Sequence, residues 1–75
     1  MPKYIREKAK LAEKIRLLRE KAEITQQEVA DKLMKERSTY TYYEIGKTEP
    51  SFFVLLELSD IFGVSFETLI SDDMD

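Results

Sequence analysis

The chain has 75 residues, with 12 Lys and Arg against 15 Asp and Glu, a net charge of −3, and neither cysteine nor histidine. That length holds one small domain, whose thin core needs efficient helix packing or added burial from a partner. Disulfides, thiolate metal sites and histidine-based catalysis are excluded, and no cofactor or metal is expected. No run approaches the roughly 20 apolar residues of a membrane span. The charged N-terminus also lacks a signal peptide's apolar region, so a cytoplasmic location without a membrane partner is the expectation.

A net negative charge argues against a nucleic-acid partner, but its distribution weakens that argument. Residues 1–22 carry eight basic and three acidic side chains, or +5. Residues 23–50 carry four and six, or −2, and residues 51–75 carry none and six, or −6. A basic end can meet phosphates while an acidic end faces away.

The pattern is helical throughout, with no alternating stretch of useful length. Residues 1–9 read as a basic helical extension or arm. A first helix is placed from Lys8 to Ala22, where Leu11, Ile15, Leu18 and Ala22 form one stripe and Lys10, Lys14, Arg16, Arg19 and Lys21 decorate the other faces. Thr25-Gln26-Gln27-Glu28 is a capping box, in which hydroxyl and carboxylate each satisfy the other residue's amide. It opens a second helix, Gln26 to Leu33, burying Val29, Ala30 and Leu33. A third helix, Arg37 to Glu44, turns Tyr40 and Tyr43 inward with their hydroxyls at the rim, and Ile45-Gly46 ends it. Two short helices so joined have helix-turn-helix spacing. Ser51 caps a fourth helix running to Phe62, whose expected core stripe is Phe52, Leu55, Leu56, Leu58, Ser59 and Phe62. Gly63 stops it, and Ser65 caps a short fifth helix carrying Phe66, Leu69 and Ile70. Residues 71–75 read as a disordered acidic tail.

Four blocks in order, TQQEVADKL, RSTYTYYE, GKTEPS and GVSFETLI, resemble the phage repressor/Cro/Xre class of helix-turn-helix domains over about residues 10–70. The resemblance implies an all-α, compact five-helix, lambda-repressor-like domain that binds duplex DNA as a transcriptional regulator. The turn Met34-Lys35-Glu36 departs from the family's Gly or Asn, aliphatic, small polar cap. Met34 would be strained at positive φ and Glu36 is a weak cap, which predicts a turn shifted by a residue or loosened.

The resemblance also implies roles. The second helix of the motif enters the major groove, so Arg37, Ser38, Thr41 and Tyr42, with Thr39 at the margin, are the expected base-reading residues. Arg37 can donate twice to a guanine edge. Gln26, at the N-terminus of helix 2, matches a phosphate-clamping position, with Thr25 and Gln27 beside it. Arg16 and Lys47 fit the same backbone track. Arg19 and Glu44 match a structural ion pair.

Six of the seven residues from Phe52 to Leu58 are apolar and cannot all face one thin core. Ile45, Phe53, Val54, Phe66 and Ile70 are therefore expected on a covered surface, under the arm or a second subunit. The family's habit of pairing through helices 4 and 5 points to a homodimer. Enzyme readings find no phosphate loop, nucleophile motif or small-molecule substrate site, and Asp72, Asp73 and Asp75 read as solvated tail acids. The rival reading is a protein-interaction module on the same scaffold, antitoxin-like, with weak DNA binding.

Overall fold

The computed structural model describes residues 3–73. Five helices follow in order: α1 (Lys8–Lys21), α2 (Gln26–Lys32), α3 (Arg37–Glu44), α4 (Phe52–Phe62) and α5 (Phe66–Ile70). Their starts are set by local chemistry. The Thr25 hydroxyl accepts from Glu28 N and the Glu28 carboxylate accepts from Thr25 N, both at 3.0 Å, closing the capping box of α2. Ser51 and Ser65 accept from Val54 N and Thr68 N at the starts of α4 and α5. Gly63, at φ 71°, ends α4, and Val64 N returns to the Ser59 carbonyl.

The core is one cluster. Leu11, Ile15 and Leu18 of α1 meet Val29 and Ala30 of α2, Tyr40 and Tyr43 of α3, Val54, Leu58 and Phe62 of α4, and Leu69 of α5. Tyr40 and Tyr43 pack edge to face, their ring centres 6.3 Å apart. The stripe of α4 differs from expectation. Val54, Leu58 and Phe62 are buried at spacing four, whereas Phe52 is 56% exposed and Leu56 37%. Residues two apart on a helix point to nearly opposite sides, so a register that buries Val54 must expose Phe52. Val54 therefore belongs to the core and not to a covered surface.

The α2–α3 turn is neither shifted nor loosened. Met34 takes the left-handed position at φ 58°, 92% exposed, while Lys35 N closes on the Ala30 carbonyl at 3.0 Å. The helix terminator is thus the one a glycine would make, with a side chain in a strained backbone region. Glu23 repeats this at φ 59° after α1.

The two ends of the described chain are joined. Tyr4 and Ser71 form an isolated antiparallel bridge, Ile5 N donates to the Ile70 carbonyl at 2.8 Å, and Asp72 N donates to the Lys3 carbonyl at 2.9 Å. Lys14, expected on the solvent face of α1, is 2% exposed instead. Its ammonium donates to the carbonyls of Ser71 and Asp73, and Lys10 pairs with Asp72 at 3.7 Å. Residues 71–73 are accordingly a docked segment, not a disordered tail; Asp75 lies outside the described residues. Residues 3–5 of the arm pair with this segment, Phe52, Phe53 and Leu56 of α4 stay exposed, and Ile5 packs against the core.

Candidate nucleic-acid interface

The interface is built outward from a buried carboxylate. Glu44, on the last turn of α3, has a side chain 1% exposed and accepts four donors. Arg19 Nε donates to Oε2 at 2.6 Å, and the Tyr40 hydroxyl donates to the same oxygen. Arg19 Nη2 and Gln26 Nε2 donate to Oε1 at 3.3 and 2.9 Å. Burial alone would push the Glu44 carboxyl up, but the hydrogen bonds from Arg19, Tyr40 and Gln26 and the Arg19 charge outweigh it and hold it below the usual range. The Tyr40 phenol is pushed far up, first by burial and then by its bond to Glu44. Tyr40 is fully buried and its hydroxyl donates inward to Glu44, so it lies inside the molecule and not at the rim. Tyr40 and Glu44 are one helical turn apart, a spacing that brings their side chains together.

Gln26 carries this cluster to the surface. Its Oε1 faces Arg37 Nη2 and Thr41 Oγ1, each at 3.4 Å. The single Thr41 hydroxyl proton is better placed on the Arg37 carbonyl, at 2.9 Å. Arg37 pairs with neither Glu36 nor Asp31 but with the N-terminus of α2. Arg37 and Ser38 are exposed, Thr39 and Thr41 half-buried, and Tyr42 lies at 37% exposure with the Lys47 ammonium 4.5 Å above its ring. Lys47 is held there by its amide, which donates to the Tyr42 carbonyl at 3.0 Å after Gly46 turns the chain at φ 78°. A Cβ at Gly46 would touch Ala12 at an ordinary 3.7 Å, so it is the backbone angle that calls for glycine.

Thr25, Gln26, Gln27 and Arg37 line one open groove, together with Arg19, Glu20 and Glu23. Gln26 also lines a second groove, with Arg16, Glu13, Glu44 and Ile45. Gln26 thus lies between Arg16 on one side and Arg37 on the other. The Thr25 hydroxyl accepts in the cap and keeps its own proton to donate. The Gln27 amide donates to Asp31 at 2.9 Å.

The residues expected on a covered surface do not form one patch. Ile45, 64% exposed, belongs to the groove beside α1. Phe53, 73% exposed, stacks edge to face on Phe52, which stacks in turn on Phe66 at 5.3 Å. Val54 is core, and Ile70 is half-buried with its carbonyl tied to Ile5. The aromatic surface of α4 and α5 is therefore Phe53, Phe52 and the half-buried Phe66, with Phe52 and Leu56 exposed where the core stripe was expected; Ile45 is exposed apart from this ring contact.

Two short helices in this arrangement, the second presenting a polar outer row, define a helix-turn-helix domain. Residues 15–69 match the family described as Helix-turn-helix, and the chain belongs to that family. It is 37% identical over 62 residues to YqaE, an uncharacterized HTH-type transcriptional regulator of Bacillus subtilis (strain 168), covering 83% of this chain and 53% of that protein. It is 41% identical over 58 residues to YonR, an SPbeta prophage-derived uncharacterized HTH-type transcriptional regulator of the same strain, covering 77% and 54%. The chain therefore spans about half the length of the curated relatives it matches. Among solved structures it superposes on the P22 c2 repressor protein, solved in complex with a synthetic operator, with a TM-score of 0.73, 28% identity, and coverage of 84% of this chain and 96% of that one.

Proposed function

We propose that this domain binds duplex DNA in a sequence-specific manner as a cytoplasmic transcriptional regulator, with α3 in the major groove and two copies acting as a homodimer. The observation that carries the reading is the row on α3, Arg37, Ser38, Thr41 and Tyr42, set directly beside the α2 N-terminus through the Gln26–Arg37 contact. Helix-turn-helix kinship and the operator-bound P22 c2 repressor support it. Arg37, Ser38, Thr41 and Tyr42 read base edges, with Thr39 at the edge of the row. Arg16, Thr25, Gln27, Lys47 and the second amide proton of Gln26 meet phosphates. Lys47 reaches the backbone from its seat on Tyr42. The homodimer forms through the aromatic surface of α4 and α5. This assigns the domain to binding and not to catalysis.

The test is selection from a random duplex pool, followed by a salt titration of the winning site. An enriched palindrome is expected, with log affinity falling against log salt at a slope of about −2 per protomer, for Arg16 and Lys47 on phosphates. Arg37→Ala should then weaken binding by about 1–3 kcal/mol and relax preference at one position. Absence of enrichment would overturn the DNA reading and move the functional surface to Phe52 and Phe53, as a protein-interaction module requires.

A further inference from the structure

We propose that Glu44, which lies behind the reading face, is a positioning residue for base recognition: through the Gln26 amide it sets where the Arg37 guanidinium points. The inference rests on the DNA reading above and assigns a residue that the reading leaves as structural. It starts from the saturated carboxylate. An ionised Glu44 can only accept, and its Oε1 is met by Gln26 Nε2 at 2.9 Å. Turning the amide over would set oxygen against oxygen, replacing the Gln26–Glu44 hydrogen bond with a repulsion and leaving the buried Glu44 Oε1 only the longer bond from Arg19 Nη2, at 3.3 Å. The buried charge therefore selects one of the two amide orientations.

That choice decides what Arg37 meets. With Nε2 committed to Glu44, Oε1 faces Arg37 Nη2 at 3.4 Å. With the amide reversed, a guanidinium would meet an amide donor, and neither group could accept. Arg37 sits at the first position of α3, where the helix dipole disfavours a cation and where only an acceptor holds it. One of its five N–H groups is taken by Gln26, leaving the others for the two acceptors of a guanine edge. The polarity of a residue on the inside of α3 is thus transmitted by one side chain to a residue on the outside.

Two variants separate positioning from structure. Glu44→Gln keeps the shape but adds a donor facing Gln26, so the amide is no longer held one way. Tyr40→Phe removes a donor from Oε2, the oxygen that Gln26 does not use. Both weaken the same buried cluster, so both are assayed at a temperature at which circular dichroism shows them folded. The readout is the affinity of each variant for the wild-type-selected duplex and for its single-base substitutions. Glu44→Gln is expected to lose about tenfold in discrimination at the one base pair read by Arg37, the size of a lost bidentate contact, with a much smaller fall in random-sequence affinity from the phosphate contact of the same amide. Tyr40→Phe is expected to discriminate as the wild type does. Undiminished discrimination in Glu44→Gln, or an equal loss in both variants, overturns the proposal. Should Glu44→Gln not fold, Gln26→Leu removes the acceptor itself while leaving the Thr25–Glu28 cap intact; it should flatten the same position, and unaltered discrimination there overturns the proposal. The wild type is scored first, so a failure of the DNA reading appears as absent enrichment, before any variant is compared.

Discussion

Arg19 carries two obligations, since its guanidinium grips both Glu44 oxygens and its Nη1 donates to the Ile24 carbonyl at 3.0 Å. Removing it leaves a nearly inaccessible carboxylate without its countercharge. Arg19→Ala should lower stability at neutral pH by about 3–5 kcal/mol, measured by chemical denaturation. The pH dependence has a definite sign. In the wild type, Glu44 titrates below its ordinary 4.5, so its stabilising contribution is complete above that pH and is lost as pH falls through the folded value. In Arg19→Ala burial dominates and the carboxyl titrates higher, so part of the deficit is recovered on acidification. Denaturation at pH 7 and pH 4 should show the gap between wild type and variant narrowing; a constant gap would remove Glu44 from the explanation. The partners of Glu44 were only partly legible in the sequence. The family pattern pointed to Arg19, but the phenol of Tyr40 was expected at the rim, because an aromatic at an apolar position is read first for its ring. Lys14 escaped altogether, since a lysine between apolar residues on an amphipathic helix reads as solvent-facing and nothing local shows the carbonyls waiting for it.

Among the elements, those with chemical ends were legible. Thr25 with Glu28, Ser51, Ser65 and Gly63 each mark a helix boundary by a hydrogen bond or a backbone angle that needs no tertiary context. The stripe of α4 was not legible, because an almost unbroken apolar run has no polar residues to give its phase. The α2–α3 turn failed in the opposite way. Local strain at Met34 was expected to displace the turn, but the packing of Val29 and Ala30 against α3 fixes the geometry and the strain is tolerated. A left-handed residue with a Cβ costs about 1–2 kcal/mol. Met34 is 92% exposed, so its side chain contributes almost no burial to offset this. Met34→Gly should therefore raise stability by about 1 kcal/mol, visible as a higher denaturation midpoint with an unchanged slope. A lower midpoint would show that the methionine makes contacts this geometry does not contain.

For the whole molecule, charge and apolarity are divided between regions. The basic residues concentrate in the arm and α1, while residues 51–75 contain no Lys or Arg, six acids and the exposed aromatics of α4. In the proposed dimer, Phe53 would be buried against its counterpart. Phe53→Glu should turn the dimer into a monomer in sedimentation equilibrium and weaken operator affinity by at least about tenfold, because two linked half-sites become one. Its thermal stability as an isolated domain should hardly change, since Phe53 is 73% exposed. A wild type that is monomeric at all concentrations would end the dimer proposal while leaving the assignment of α3 intact.

The ribbon that joins residues 3–5 to residues 70–72 fixes where polypeptide enters and leaves the domain. The two openings lie about 5 Å apart, one strand spacing. A unit with that property can be spliced into the surface loop of an unrelated host without prying the host's loop open. Lys14 then acts as a rivet, holding the splice closed from inside the cassette.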